Sequence, residues 1–231
     1  IKYIAEELYE KGNEIKLIYF VDKHYPRNCY NFCNGNGYEE IPLYPDRRYW
    51  PKNIYRVIEL GNWPDIIHFQ KCYYTATLPA LLGGLFKDKP LHYDWDDWEE
   101  KIYAYSSDRP FKLTEFYFRI KEYLIPKIVD TISVASHNLY NLCISMGIEK
   151  ERIFFSPTGV SLKKFKPSVT ADIIRAKYNI DGPLVMYHGT LVAGHYANIL
   201  LESARILNAK GHKMQYMLIG PDRKGSFLEE M

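Results

Sequence analysis

Nowhere in this chain of 231 residues is there an apolar run long enough to cross a membrane. The longest, residues 75–86, contains Pro79 and the pair Gly83-Gly84 and falls well short of the roughly 20 residues a spanning helix needs. Charge of one sign is also lacking. Thirty basic against 28 acidic side chains leave a formal charge of +2, which excludes nucleic acid as a default partner and makes any basic site a local one. Cysteine is scarce: Cys29, Cys33, Cys72 and Cys143 form no paired framework, which suits a reducing, cytoplasmic setting. A secretory leader is not read either, because the chain opens on the helical pattern Ile1, Ile4, Ala5, Leu8, and that opening looks cut short. His24, Cys29 and Cys33 precede Asn34-Gly35-Asn36-Gly37. Zinc usually takes four ligands in paired spacings, so this is read as a solvent loop, and no metal is expected.

The sequence does hold an ordinary globular balance of 47% apolar and 25% charged residues, enough for a sizeable core. A first helix ends at Lys11-Gly12 and the buried strand 15–21 follows. Residues 22–53, rich in Asn, Pro, Gly and Tyr, read as loop with one short strand at 40–43. From Asp65 the rhythm is regular: strand 66–69, helix 75–86, strand 91–93, helix 112–124, strand 129–135, a helix capped by Ser136 and closed by Gly147, then strand 152–155. Strands alternating with helices imply a parallel sheet with helices on both faces. Residues 161–170, with Lys163, Lys164, Lys166 and Pro167, read as a connector. A new cycle begins beyond it: helix 172–178, strand 184–188, helix 197–210, strand 214–219. The expected fold is α/β with two Rossmann-like doubly wound domains, residues 1–162 and 163–231, the second incomplete.

Three segments carry a resemblance. Pro64 to Gln70 (PDIIHFQ) is similar to the strand end PDVVHxH. Ser156 to Ser161 (SPTGVS), with Phe165 and Pro167, is similar to the hinge approach PNGVDxxxFxP. Residues 184–204 with Gly189 and Glu202, followed by Leu218-Ile219-Gly220-Pro221, are similar to an opening donor-domain strand, helix and second strand. Together, and in this order, they resemble the retaining glycosyltransferases of family four (group 1), which have the two-domain B-type fold. The resemblance implies that residues 1–162 hold the acceptor and residues 163–231 begin the nucleotide-sugar donor domain. It also implies transfer from a nucleotide-diphosphate sugar with retention, needing no cofactor beyond that donor. The family's glycine-rich first strand and its acidic donor motif are expected before Ile1 and after Met231.

Candidate site residues follow from chemistry at strand ends, where open parallel sheets bind ligands. His92 to Glu100 (HYDWDDWEE) is the densest polar cluster in the chain. Its loop carboxylates Asp94, Asp96 and Asp97 are assigned to catalysis, since clustered acids raise one another's pKa and hydrogen-bond sugar hydroxyls. Trp95 is assigned to the acceptor side because indole faces pack on pyranoses; the bland alternative is a solvated acidic loop. Relatives place a histidine where Asp96 stands. His68 and Gly159 are assigned to the acceptor side, though His68 fits a hydrogen-bonded strand end equally well, and Lys71, Tyr73 and Tyr74 fit helix-end chemistry. Gly189, Thr190, His195 and Gly220 are assigned to the donor, because a glycine before a helix lets backbone approach phosphate. Relatives carry arginine and lysine where Thr190 and His195 stand; His195 would supply charge when protonated, and Arg223-Lys224 lie beyond the next strand end.

The alternative function is a non-catalytic glycan- or nucleotide-binding protein on the same scaffold. A nicotinamide enzyme is disfavoured because no G-x-G-x-x-G follows a strand. In residues 109–127, Leu113, Phe116, Tyr117, Ile120 and Leu124 form one helical stripe, read as core. Phe111 and Phe118 fall off it beside Lys112, Arg119 and Lys121, which suits peripheral contact with the inner face of a membrane and a glycan or lipid-linked acceptor.

Overall fold

The computed structural model describes residues 2–21, 37–44, 47–106, 111–163, 165–189, 191 and 196–221. They divide into two units, Ile1–Ser161 and Leu162–Met231. In the first, α1 (Lys2–Glu10) leads to β1 (Lys16–Phe20), which pairs in parallel with β2 (Glu39–Leu43). Helix α2 (Trp50–Leu60) follows, with proline in its first turn, where the missing N–H costs nothing. This corrects the expectation that residues up to 53 are loop. Pro51 and Asn53 look like loop residues, but Ile54, Val57 and Ile58 form an apolar stripe, and Val57 is buried.

The main sheet is β3 (Ile67–Gln70), β4 (Leu91–Trp95), β5 (Thr131–Val134) and β6 (Ile153–Phe155), all parallel and in sequence order. They are linked by α3 (Tyr74–Lys87), α4 (Glu99–Ser106) with α5 (Lys112–Ile128), and α6 (His137–Ser145). Crossovers between successive parallel neighbours are right-handed, so α3, α5 and α6 lie on one face of this sheet. That face holds Phe69, Tyr93, Trp95, Ile132, Val134 and Ile153, packed against Phe118, Ile125, Leu139 and Cys143. Each large side chain buried there contributes about 1.5–3 kcal/mol. Ser136 caps α6 by accepting from the Leu139 N–H at 3.3 Å, and Gly147 closes it at φ +80°, a conformation that favours glycine.

Alternation sends the intervening residues to the other face. The register aligns His68, His92 and Thr131 in one row and Gln70, Asp94 and Ser133 in the next. From β3 to β5 one face of the sheet is therefore apolar and the other polar, with Phe154 of β6 at the end of the polar rows.

In the second unit, α7 (Asp172–Lys177), β7 (Leu184–His188), α8 (Tyr196–Ala209) and β8 (Gln215–Ile219) follow in order, and β7 and β8 pair in parallel. Leu191 and Ala197 are buried against Tyr187, Leu201 and Leu218. The α/β, Rossmann-like class expected from the sequence is the class observed.

Candidate functional site

Because β3 and β4 run parallel, both carboxyl ends reach the same edge of the sheet. There the chain leaves β3 through Lys71, whose φ of +75° is strained for a residue with a Cβ. This turn brings the Lys71 ammonium into the carboxylates that follow β4. Its Nζ lies 3.2 Å from Asp96 Oδ1, 3.0 Å from Glu99 Oε1 and against Asp97 Oδ2. Gln70 Nε2 donates to Asp96 Oδ2 at 3.1 Å, and the Tyr73 hydroxyl donates to Glu99 Oε2 at 2.8 Å. Asp96 Oδ1 is buried and has no other partner than Lys71 among the described residues.

Burial works against the charge on Lys71, but hydrogen bonds to Asp97 and Glu99 outweigh it and hold the ammonium protonated above its ordinary range. Burial pushes the Asp96 carboxyl up and Lys71 pulls it back only in part. Burial and the bond to Glu99 likewise raise the Tyr73 phenol. The result is a half-buried acid beside a fixed cation at a strand end, suited to orienting hydroxyls and to charge that develops in a reaction.

A second network runs across the polar face. Ser133 Oγ donates to Asp94 Oδ1 at 2.7 Å, and His92 Nε2 and Nδ1 lie 3.1 Å from Ser133 Oγ and 2.8 Å from Thr131 Oγ1. Since the single Ser133 proton goes to Asp94, His92 Nε2 carries hydrogen and Nδ1 accepts from Thr131. His68 Nε2 is 3.9 Å from Asp94 Oδ2 and has no hydrogen-bond partner among the described residues. Burial first, then the neighbouring His92, lowers His68 to about 4, so at neutral pH this contact joins a carboxylate to a neutral ring.

Beneath both networks Glu122 of α5 is buried and accepts the N–H groups of Glu99 and Glu100, at 2.7 and 3.1 Å, and the Trp95 indole, at 3.2 Å. One carboxylate thus caps α4, whose first turn supplies the acid that grips Lys71. Burial raises Glu122 to about 7 against those three donors.

The structure brings Asp94, Asp96, Asp97 and His68 to one region, and it corrects two readings there. Asp94 and Trp95 belong to β4 rather than to a loop. Trp95 is a core residue stacked on Tyr93; it follows Leu91 and Tyr93 at spacing two, which sends it to the apolar face, leaving no indole face to lay on a sugar. Gly159 stands in exposed chain beyond β6, with open space where a side chain would go. Gln70, Thr131, Ser133 and Glu122 were not foreseen. The first three had a signal, the alternations His68-x-Gln70, His92-x-Asp94 and Thr131-x-Ser133, whereas Glu122 sat unremarked in a helix.

In the second unit Gly189 and Gly220 meet at the carboxyl ends of β7 and β8. A Cβ on Gly220 would collide with the Gly189 carbonyl, and one on Gly189 would come 2.7 Å from the Tyr187 hydroxyl. The N–H of Gly189 already donates to the Ile219 carbonyl at 2.9 Å, and that of Leu191 to Pro221 at 3.0 Å. Gly189 therefore contributes close approach of backbone and not a free donor. Thr190, His195, Arg223 and Lys224 lie outside the described residues, as do His24, Cys29 and Cys33.

No protein-family model matches this chain, and no curated protein does. Among solved structures it is similar to Anabaena Alr3699/HepE in complex with UDP and glucose, at 13% identity and a TM-score of 0.66 over 99% of this chain and 59% of that one. It is also similar to the same protein in complex with UDP, at 12% identity and a TM-score of 0.57, over 96% of this chain and 65% of that one. The chain shares the fold of these structures and spans about three fifths of their length.

Proposed function

We propose that this chain is part of a glycosyltransferase of the two-domain B type, moving a sugar from a nucleotide-diphosphate donor to a glycan or lipid-linked acceptor with retained configuration. The observation that carries this reading is the cluster of Gln70, Lys71, Asp96 and Asp97 at the shared carboxyl edge of β3 and β4. It stands on a fold whose neighbour was crystallised with UDP and glucose. The first unit takes the acceptor, with Asp96 and Asp97 orienting sugar hydroxyls, Asp94 behind them in the strand, and His68 beside it. The second unit takes the donor at the strand ends where Gly189 and Gly220 bring the two backbones together, with Thr190 and His195 contacting the diphosphate. Rate enhancement then comes from placing two substrates and stabilising the leaving diphosphate. Work at the inner face of a membrane, through residues 109–127, belongs to the same reading.

The test is release of nucleoside diphosphate from a panel of nucleotide sugars by the full protein, followed by the anomeric configuration of the product. Asp96→Ala should keep the fold, costing about 1 kcal/mol of stability for its lost hydrogen bond, yet lower transfer by about 100-fold or more. Full turnover by that variant removes the cluster from the chemistry.

The absence of the expected basic pair at Thr190 and His195 favours a second reading, a non-catalytic nucleotide- or glycan-binding protein. Nucleotide-sugar binding without any turnover across the panel would select it.

A further inference from the structure

Helix α5 is turned the opposite way from a surface helix of an ordinary globular domain. Its buried side carries Phe118, Glu122, Ile125 and Pro126. Its outward side carries Leu113 at 67% exposure, Phe116 at 54%, Ile120 at 39% and Leu124 at 48%, with Tyr117 and Tyr123 at the margins, also exposed. At about 100° per residue these six span an arc of about 120°, centred opposite Phe118 and Glu122. An apolar stripe of this kind facing solvent marks an interaction surface.

The charges on the helix are sorted with it. Both carboxylates of α5, Glu115 and Glu122, lie on the inward half, Glu122 buried and Glu115 with its side chain 14% exposed. Lys127 falls inside the apolar arc, and Lys112 and Lys121 fall at its two flanks. Lys127 lies over the Tyr123 ring at 3.7 Å and Lys121 over the Tyr117 ring at 4.4 Å, and neither pairs with a carboxylate among the described residues. Lys121 also donates to the Cys72 carbonyl at 3.1 Å, and Lys112 reaches back to Glu115 at 3.2 Å. Phe111, just ahead of the helix, is exposed and extends the same end. The stem-and-head form of lysine and the amphipathic ring of tyrosine both suit the headgroup level, with Leu, Ile and Phe below it. The helix is 17 residues long, and no described helix is long and apolar enough to cross a membrane, so the helix would lie along the surface.

We propose that the outward face of α5 docks the protein on an anionic lipid bilayer, with Leu113, Phe116, Ile120 and Leu124 entering the acyl boundary and the lysines meeting lipid phosphates. The surface differs from the one expected from the sequence: Phe118, taken there for an interfacial residue, packs inward between the rings of Tyr73, Tyr103 and Tyr117. The proposal deepens the membrane contact named in the proposed function but stands independently of sugar transfer, because docking is measured without substrates.

The experiment is cosedimentation of the full protein with vesicles of phosphatidylcholine alone or mixed with phosphatidylglycerol, at low and high salt. Wild type should pellet with the mixed vesicles, less with the neutral ones, and be partly released by salt. Lys112→Gln with Lys127→Gln should weaken binding about thirtyfold, at about one surface lysine's worth each. Leu113→Ser with Ile120→Ser should weaken it by more than about a hundredfold, while circular dichroism melting stays unchanged because both residues point outward. Failure of wild type to pellet with mixed vesicles overturns the proposal, as does binding that neither double variant alters. It is also overturned if ultracentrifugation shows a dimer that Leu113→Ser with Ile120→Ser dissociates, since a second copy would then cover the face. Docking without transfer leaves this inference standing while the transfer reading falls, and the converse separates them equally.

Discussion

At the scale of single residues, one buried and one half-buried group titrate in opposite senses. Glu122 moves from 4.5 up to about 7 on folding, chiefly through burial. A carboxyl raised in the folded state contributes stability that is complete below its unfolded pKa and is lost as pH rises toward the folded value. His68 moves from 6.5 down to about 4, again chiefly through burial. Its contribution is complete above the unfolded value and is lost as pH falls toward the folded one. From about pH 4.5 to 6.5 the two slopes oppose each other and the wild-type stability curve is flattened. His68→Asn should expose the Glu122 slope, with stability falling from about pH 4.5 to 7, and Glu122→Gln should expose the His68 slope, falling from about pH 6.5 to 4. Asp96 and His92 shift in the same two directions, so the readout is each variant's urea midpoint against pH minus that of wild type. A difference curve for Glu122→Gln without slope between about pH 4.5 and 7 would show that folding does not raise this carboxyl. Neither shift was legible in the sequence, because both depend on which face of an element a residue takes. Asp96 and Asp97 were legible, since their place just after a strand needs only the strand's end to be found.

At the scale of elements, position along the chain was read far better than orientation. The alternation from Asp65 onward gave β3 to β6 within one or two residues because apolar runs and turn residues mark their ends. Helix α5 shows the limit of the same signal. Its stripe at 113, 116, 117, 120 and 124 is one face, but the reading of that face as core is overturned, since all five side chains are exposed; periodicity reports that a face exists and is silent on whether protein or solvent meets it. What decides is tertiary: Phe118 reaches the rings of Tyr73 and Tyr103, and Glu122 is needed to cap α4. Helix α4 itself was missed, since Glu99 and Glu100 read as the end of an acidic loop until the partner that holds their N–H groups is known. The inverted orientation has a direct consequence for stability. Phe118→Ala should cost about 3–5 kcal/mol, the range for a deleted core aromatic, and Phe116→Ala within about 0.5 kcal/mol of nothing, as an exposed substitution. Denaturant unfolding of the two variants in parallel settles the matter, and equal losses would contradict the orientation of α5.

At the scale of the whole molecule, the two units differ in how much core each holds within these 231 residues. The first has a four-stranded sheet with a continuous core from Phe69 to Ile153. The second has two strands, and its buried cluster is Leu191 and Ala197 with three partly buried neighbours among the described residues. A two-stranded unit with little buried apolar surface opens more readily than a four-stranded one, because local stability follows buried contacts. The segment that follows Ser161 is exposed from Leu162 through Ile174 at every described position, and it offers trypsin Lys163, whereas Lys166 precedes Pro167 and is not cut. Limited digestion of a protein made of these 231 residues should therefore cut first in this segment or in the second unit. It should leave a fragment from the start of the chain to about residue 163 that persists, visible by mass spectrometry as a stable band while peptides from beyond residue 163 accumulate. Arg119, bound to Glu100 at 2.8 Å, and Arg152, donating to the Asp130 carbonyl at 3.0 Å, are held in the folded first unit and should be cut only later. If cleavage at Arg119 or Arg152 instead precedes loss of the second unit, the stability order argued from the two cores is wrong, and the first unit draws its stability from elsewhere than the sheet that carries Lys71 and Asp96.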